Sequence, residues 1–160
     1  MTSITFDEIY SRFYTKVEAF DLIDEDEEVV SEFMCNWLQS ALFYPHIRKL
    51  FSTIEVDVEN AAISYELNYE IDEASDKNFV TEVLSWGIVF NWVDPKINSI
   101  TNIVQHFGES DDKWYSQASH LAQLRQLRAD SERHIRGLVN SRGFFNNVYL
   151  DGKAASAKLR

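Results

Sequence analysis

Apolar side chains return every three to four residues through most of this 160-residue chain, and only two prolines and five glycines interrupt it. That spacing gathers apolar groups on one stripe of a helix, so the favoured solution is a set of long helices packed through their stripes. Thr5-Phe6-Asp7-Glu8 opens the first as a capping box, in which the Thr5 hydroxyl accepts from the Glu8 amide and the Glu8 carboxylate reaches back. Phe6, Ile9, Phe13, Val17 and Phe20 then predict one helix to about Phe20. The acidic run Asp21 to Glu28 reads as a loop feeding the first turn of a second helix, where negative charge suits the dipole. In that helix Val30, Phe33, Trp37, Ala41 and Tyr44 are the expected core face, and Pro45 ends or kinks it.

Between Thr53 and Ile71 the period changes to two, with Ile54, Val56, Val58 and then Ile63, Tyr65, Leu67, Tyr69, Ile71 alternating with polar residues. This predicts a β-hairpin over 53–71 turning around Glu59 to Ala62, although Val58, Ala62, Tyr65 and Tyr69 also suit a helix. Phe79, Val83, Trp86, Phe90 and Val93 signal a third helix central to the core. Asp94-Pro95 reads as an N-cap and first-turn proline, so a separate fourth helix is expected through Ile97, Ile100, Val104 and Phe107, set at an angle and stopped by Gly108. The longest helix is expected from about Trp114 to Arg142, with Ala118, Leu121, Leu124, Leu127, Ile135 and Leu138 on one face and Gly143 as its stop. The fold class is therefore mainly α. It is a compact bundle of about five helices with a small β-hairpin, residues 1–143, followed by an extended C-terminal arm, residues 144–160.

Charge is unevenly divided. Residues 1–112 carry 23 acidic and 6 basic side chains, whereas 113–160 carry 9 basic and 3 acidic. A basic end suits phosphate or an acidic protein surface, while the acidic remainder repels nucleic acid at long range. Arg125, Arg128, Arg133, Arg136 and Arg142 lie on the last helix without a helix-turn-helix or RNA-binding signature. Intersubunit or intrahelical ion pairing is the expected role of the first four, and sequence-specific nucleic-acid binding is not expected.

No catalytic or metal chemistry is expected. His46, His106, His120 and His134 have no partner at metal-ligand spacing, and His120 and His134 lie about 21 Å apart along one helix. The single cysteine, Cys35, reads as a buried small hydrophobe rather than a reactive thiol. There is no phosphate-binding glycine loop, nucleophile elbow or zincin pattern, and nothing localises a carboxylate pair, so neither enzyme activity nor a cofactor is expected. The first residues lack a signal peptide's basic and apolar regions, and no apolar run approaches the roughly 20 residues that span a bilayer, which predicts a cytosolic protein without membrane contact.

Three stretches carry a resemblance: Trp92-Val93-Asp94-Pro95-Lys96-Ile97-Asn98-Ser99; Phe107-Gly108 with Trp114-Tyr115-Ser116-Gln117-Ala118-Ser119-His120-Leu121; and Arg142-Gly143-Phe144-Phe145-Asn146-Asn147-Val148-Tyr149-Leu150. Over most of residues 5 to 152 the pattern resembles small structural proteins of tailed bacteriophages, in particular the head-tail connector, or adaptor, class. The resemblance implies a virion protein at the neck, assembled in the host cytoplasm, forming a ring under the portal and joining it to the next neck or tail component. DNA would pass through the channel without being gripped, which the acidic bias suits. It also implies an arm that inserts into the portal, with Phe144, Phe145, Asn146, Asn147, Tyr149 and Leu150 as contacts; the alternative for Phe144 and Phe145 is packing onto their own bundle. The runner-up function is another phage neck component or an acidic helical protein that binds a different protein partner.

Overall fold

The computed structural model describes residues 1–106 and 111–145, with side chains placed at 1–19, 21–101 and 118–142. Strand β1 (Thr2–Thr5) leads into α1 (Phe6–Tyr14), and a 3-10 turn at Phe20–Leu22 precedes α2 (Glu27–Phe43) and the single turn α3 (Pro45–Arg48). Strands β2 (Phe51–Asp57) and β3 (Ala62–Leu67) follow, then two long helices, α4 (Glu73–His106) and α5 (Asp111–Phe145).

The capping box at Thr5 forms as expected, with the Glu8 amide donating to Thr5 Oγ1 at 3.4 Å and the Thr5 amide donating to Glu8 Oε2 at 3.0 Å. The hairpin also forms. Ala62 to Leu67 pairs antiparallel with Phe51 to Asp57, and Ala61 takes φ 48° in the turn, where Asn60 closes onto the Asp57 carboxylate. What the sequence pattern missed is β1, which pairs with the other side of β3 and makes a three-stranded antiparallel sheet in the order β1-β3-β2. Four residues reading Thr-Ser-Ile-Thr carry too little alternation to signal a strand.

The core lies between the sheet and α4. Ile4, Ile63 and Tyr65 from the sheet, Ile9 and Phe13 from α1, and Met34 and Leu38 from α2 enclose Val80, Leu84 and Ile88 of α4. On the other side α5 lays Leu124, Ile135 and Val139 against the same helix. Pairs from Asp76 with Arg142 to Asp94 with Arg128 show that α4 and α5 run antiparallel. Buried between neighbours on both sides, α4 is the central element expected from its aromatic stripe.

Four local expectations are corrected. First, α1 ends at Tyr14 rather than near Phe20, because the Thr15 hydroxyl turns back to the Arg12 carbonyl at 2.7 Å and the Lys16 amide bonds Phe13. Second, α2 buries Met34, Leu38, Ala41 and Leu42, leaving Phe33 exposed and Trp37 half-buried. The helix carries two apolar faces that share Ala41, which is buried as expected and crosses Gly87 closely, where a Cβ on Gly87 would lie 2.6 Å from Ala41 Cβ. Third, no break occurs at Asp94-Pro95: α4 continues through Pro95 as one helix. The Asp94 carboxylate is held by Arg128 of α5 instead of capping, and packing against α5 on both sides of the proline offsets the about 3 kcal/mol that an interior proline costs. Fourth, Gly143 does not stop α5, which runs to Phe145.

Candidate interaction surfaces

On α5 the buried positions Leu121, Leu124, Ser131, Ile135, Val139 and Arg142 recur at helical spacing, so Arg142 falls on the core face while the other arginines fall beside it. Arg142 is 8% exposed and reaches Asp76 at the start of α4, donates to the Tyr69 carbonyl at 2.9 Å and covers the Phe79 ring at 4.5 Å. The Asp76 carboxylate also accepts from the Ile71 amide at 3.2 Å, which ties the segment after β3 to both long helices. This pair fixes the C-terminal end of α5 beside the base of the hairpin. Sequence reasoning grouped Arg142 with the surface arginines; the signal that distinguishes it is its place three and seven residues after Val139 and Ile135.

Of the four arginines expected to pair within the helix or between subunits, Arg133 meets Asp130 at 2.5 Å and Arg136 meets Glu132 at 2.6 Å along α5, whereas Arg128 pairs across to Asp94 of α4 and lies over Phe90. Tyr44 of α2's cap also donates to Glu132 at 3.1 Å, and these hydrogen bonds, Tyr44 first and Arg136 after it, hold the Glu132 carboxyl below its ordinary range. Arg125 is exposed and has no carboxylate partner among the described residues. Phe144 and Phe145, expected at the start of the arm, belong to the last turn of α5, whereas Asn146, Asn147, Tyr149 and Leu150 lie outside the described residues.

The acidic run and the hairpin carboxylates face solvent. Asp24 to Glu28 are all exposed, with Asp26 at the N-cap of α2 and Glu27 and Glu28 in its first turn, the dipole-matched placement read from sequence. Glu55, Asp57 and Glu59 are exposed along β2 and its turn. Hydrogen bonds from Asn60 keep the Asp57 carboxyl below its ordinary range.

Two concavities lie against the long helices. A groove of about 560 Å³ between α1 and α4 is lined by Asp7, Glu8, Arg12, Lys77 and Asn78; within it Lys77 meets Glu8 at 2.7 Å and Arg12 donates to Asn78 at 2.9 Å while pairing with Glu82 at 3.5 Å. A second hollow of about 460 Å³ lies between α5 and the base of the hairpin, walled by Leu50, Leu67, Tyr69, Val139 and Arg142. Nearby, burial and the Asp76 charge push the Tyr65 phenol up to about 12, and its hydroxyl finds no hydrogen-bond partner among the described residues. Cys35 is half-buried and accepts from Gln39 at 3.5 Å. His134 stacks on Trp86 at 4.4 Å. Among the described residues no three His, Cys, Asp or Glu side chains gather at metal-binding distance, and no helix is long and apolar enough to cross a membrane.

No protein-family model, curated protein or solved structure matches this chain.

Proposed function

We propose that this chain is a structural subunit acting through contact surfaces, a head-tail connector that forms a ring under a phage portal, passes DNA through its channel and presents a C-terminal arm to the portal. The observation that carries the reading is the fixed exit of the chain's end. The Arg142 and Asp76 pair clamps α5 to the base of the sheet, and the fifteen residues after Phe145, with Tyr149 and Leu150 as aromatic and aliphatic anchors, start from that clamp. An anchored base lets a binding segment be ordered on a partner without loosening the body that carries it. The exposed carboxylates at 24–28 and on β2 suit a surface that passes DNA without holding it. Ring formation uses two different faces of each subunit, and the acidic α2 end with the cationic α5 flank offers such a complementary pair.

The test is co-assembly with the portal protein of the same virus. The full chain should be retained on portal rings, and deletion of residues 146–160 should abolish retention while leaving the fold intact by circular dichroism. Retention unchanged by the deletion would refute the arm's role. A chain that stays monomeric with portal present would favour the alternative, a neck component or acidic helical protein with another partner.

A further inference from the structure

Strand β2 lies at the rim of the sheet, and its two faces differ in a regular way. From Thr53 to Asp57 the register with β3 is unbroken, so successive side chains alternate between the faces. Ile54 and Val56 stand opposite Tyr65 and Ile63 and share the inner face with them. Tyr65 and Ile63 are 1% and 0% exposed, whereas Ile54 is half-buried and Val56 is 37% exposed, so the helix layer stops short of the rim. Thr53, Glu55 and Asp57 take the outer face, and all three are exposed. Among the described residues β2 pairs only with β3, which directs the amide and carbonyl of every second residue outward. The opposite rim, β1, is four residues long, and its one apolar side chain, Ile4, is buried.

These features select an occupant. A strand laid on the rim would gain backbone hydrogen bonds whatever its sequence, and side chains would set the preference. Each of its residues would stand opposite one of β2, beside Ile54 and Val56 on the inner face and beside Glu55 and Asp57 on the outer. None of Glu55, Asp57 and Glu59 meets a cation among the described residues, and the hairpin from Phe51 to Leu67 holds no lysine or arginine. A second copy of β2 would bring acid against acid on the outer face, which keeps the rims of two molecules apart. A strand that alternates apolar and basic residues matches both faces at once.

We propose that the rim of β2 is a docking site for an extended segment of another protein in which apolar and basic residues alternate, added as a fourth strand of the sheet. Its apolar side chains carry the inner face past Ile54 and Val56, and its lysines or arginines lie across from Glu55 and Asp57. The site goes beyond the connector reading and uses neither the arm nor the acidic run from Asp24 to Glu28.

The probe is a seven-residue peptide alternating lysine and valine, blocked at both ends and added at about 1 mM to the full chain. One control peptide has glutamate in place of lysine, and another has the same composition with its lysines and valines in two blocks. Hydrogen exchange read by NMR should show the outward amides of residues 53–57 slowed about tenfold by the alternating peptide, with α4 unchanged and neither control equalling it. Glu55→Lys, at an exposed position, should cancel the choice between the lysine and glutamate peptides. Protection by either control equal to that by the probe, or none by any peptide, overturns the proposal, as does a Glu55→Lys chain that keeps the parent's preference. Outward amides already protected in the free chain overturn it too: protection that survives tenfold dilution assigns the rim to the chain itself, and protection that fades assigns it to a second copy. Portal retention enters none of these readouts, so this proposal and the connector reading fail separately.

Discussion

Replacing Arg142 by methionine isolates the interaction that anchors α5. The side chains of Arg142 and Asp76 are 8% and 7% exposed, so the variant strands a carboxylate inside the protein with only the Ile71 amide to hold it. Methionine keeps much of the unbranched stem against Phe79, so the loss reads mainly the charge and its hydrogen bonds. Removing one member of a buried pair costs about 3–5 kcal/mol. At about 2–4 °C per kcal/mol for a chain of this size, Tm should fall by about 6–20 °C. Arg133→Met is the control: Arg133 is 72% exposed, its i,i+3 pair with Asp130 is screened by water, and its loss should cost no more than about 0.5 kcal/mol. Thermal and urea unfolding followed by circular dichroism measure both. The double variant Asp76→Asn, Arg142→Met should recover part of the loss, because the stranded charge is gone. An Arg142→Met protein that melts within about 2 °C of the parent, or a double variant that simply adds the two single losses, would refute the anchor.

Two further expectations concern backbone packing and acid stability. Gly87→Ala places a methyl 2.6 Å from Ala41 Cβ and 3.2 Å from Ile47 Cδ1, so the overlap should outweigh the gain in helix propensity and destabilise by about 1–2 kcal/mol. Gly137→Ala meets nothing within 4 Å and should stabilise by about 1 kcal/mol; denaturant midpoints for the two variants moving the same way would contradict this. The Glu8 carboxyl is drawn below its ordinary 4.5 by the Lys77 hydrogen bond first and by the Thr5 amide. A depressed folded value gives stability that is present above 4.5 and lost as pH falls through that lower value, so Glu8→Gln should flatten the acid side of the stability profile and leave its alkaline side unchanged, as pH-dependent urea midpoints would record.

Much of the fold could be read locally. The Thr5 to Glu8 box formed as written, the period-two run became β2 and β3 but stopped at Leu67, leaving Tyr69 and Ile71 exposed, and α4 formed with Val80, Leu84 and Ile88 in the core while Phe79, Trp86 and Phe90 of the expected stripe are half-buried. The errors have one kind of cause. Asp94-Pro95 has the local chemistry of a helix start, and Gly143 that of a helix stop, yet α4 and α5 run through both because each is packed against the other. α2 offered two apolar faces sharing Ala41, and packing against α4 buried the one with Met34, Leu38 and Leu42.

The same division holds for the surfaces. The acidic and basic halves of the chain and the arginines of α5 are composition, visible before any fold is known. Their partners are not, since Asp94 and Arg128 are 34 residues apart and Asp76 and Arg142 are 66 apart, and no local pattern encodes such meetings. Sequence by itself determined which segments are helical, where the hairpin turns and how charge is shared along the chain, because propensity, capping and periodicity act over a few residues. Tertiary structure alone decided that Thr2–Thr5 joins the sheet, that one arginine is buried as an anchor while its neighbours lie nearer the surface, and that among the described residues β2 pairs on one side only, because burial and pairing are set by what other elements bring alongside.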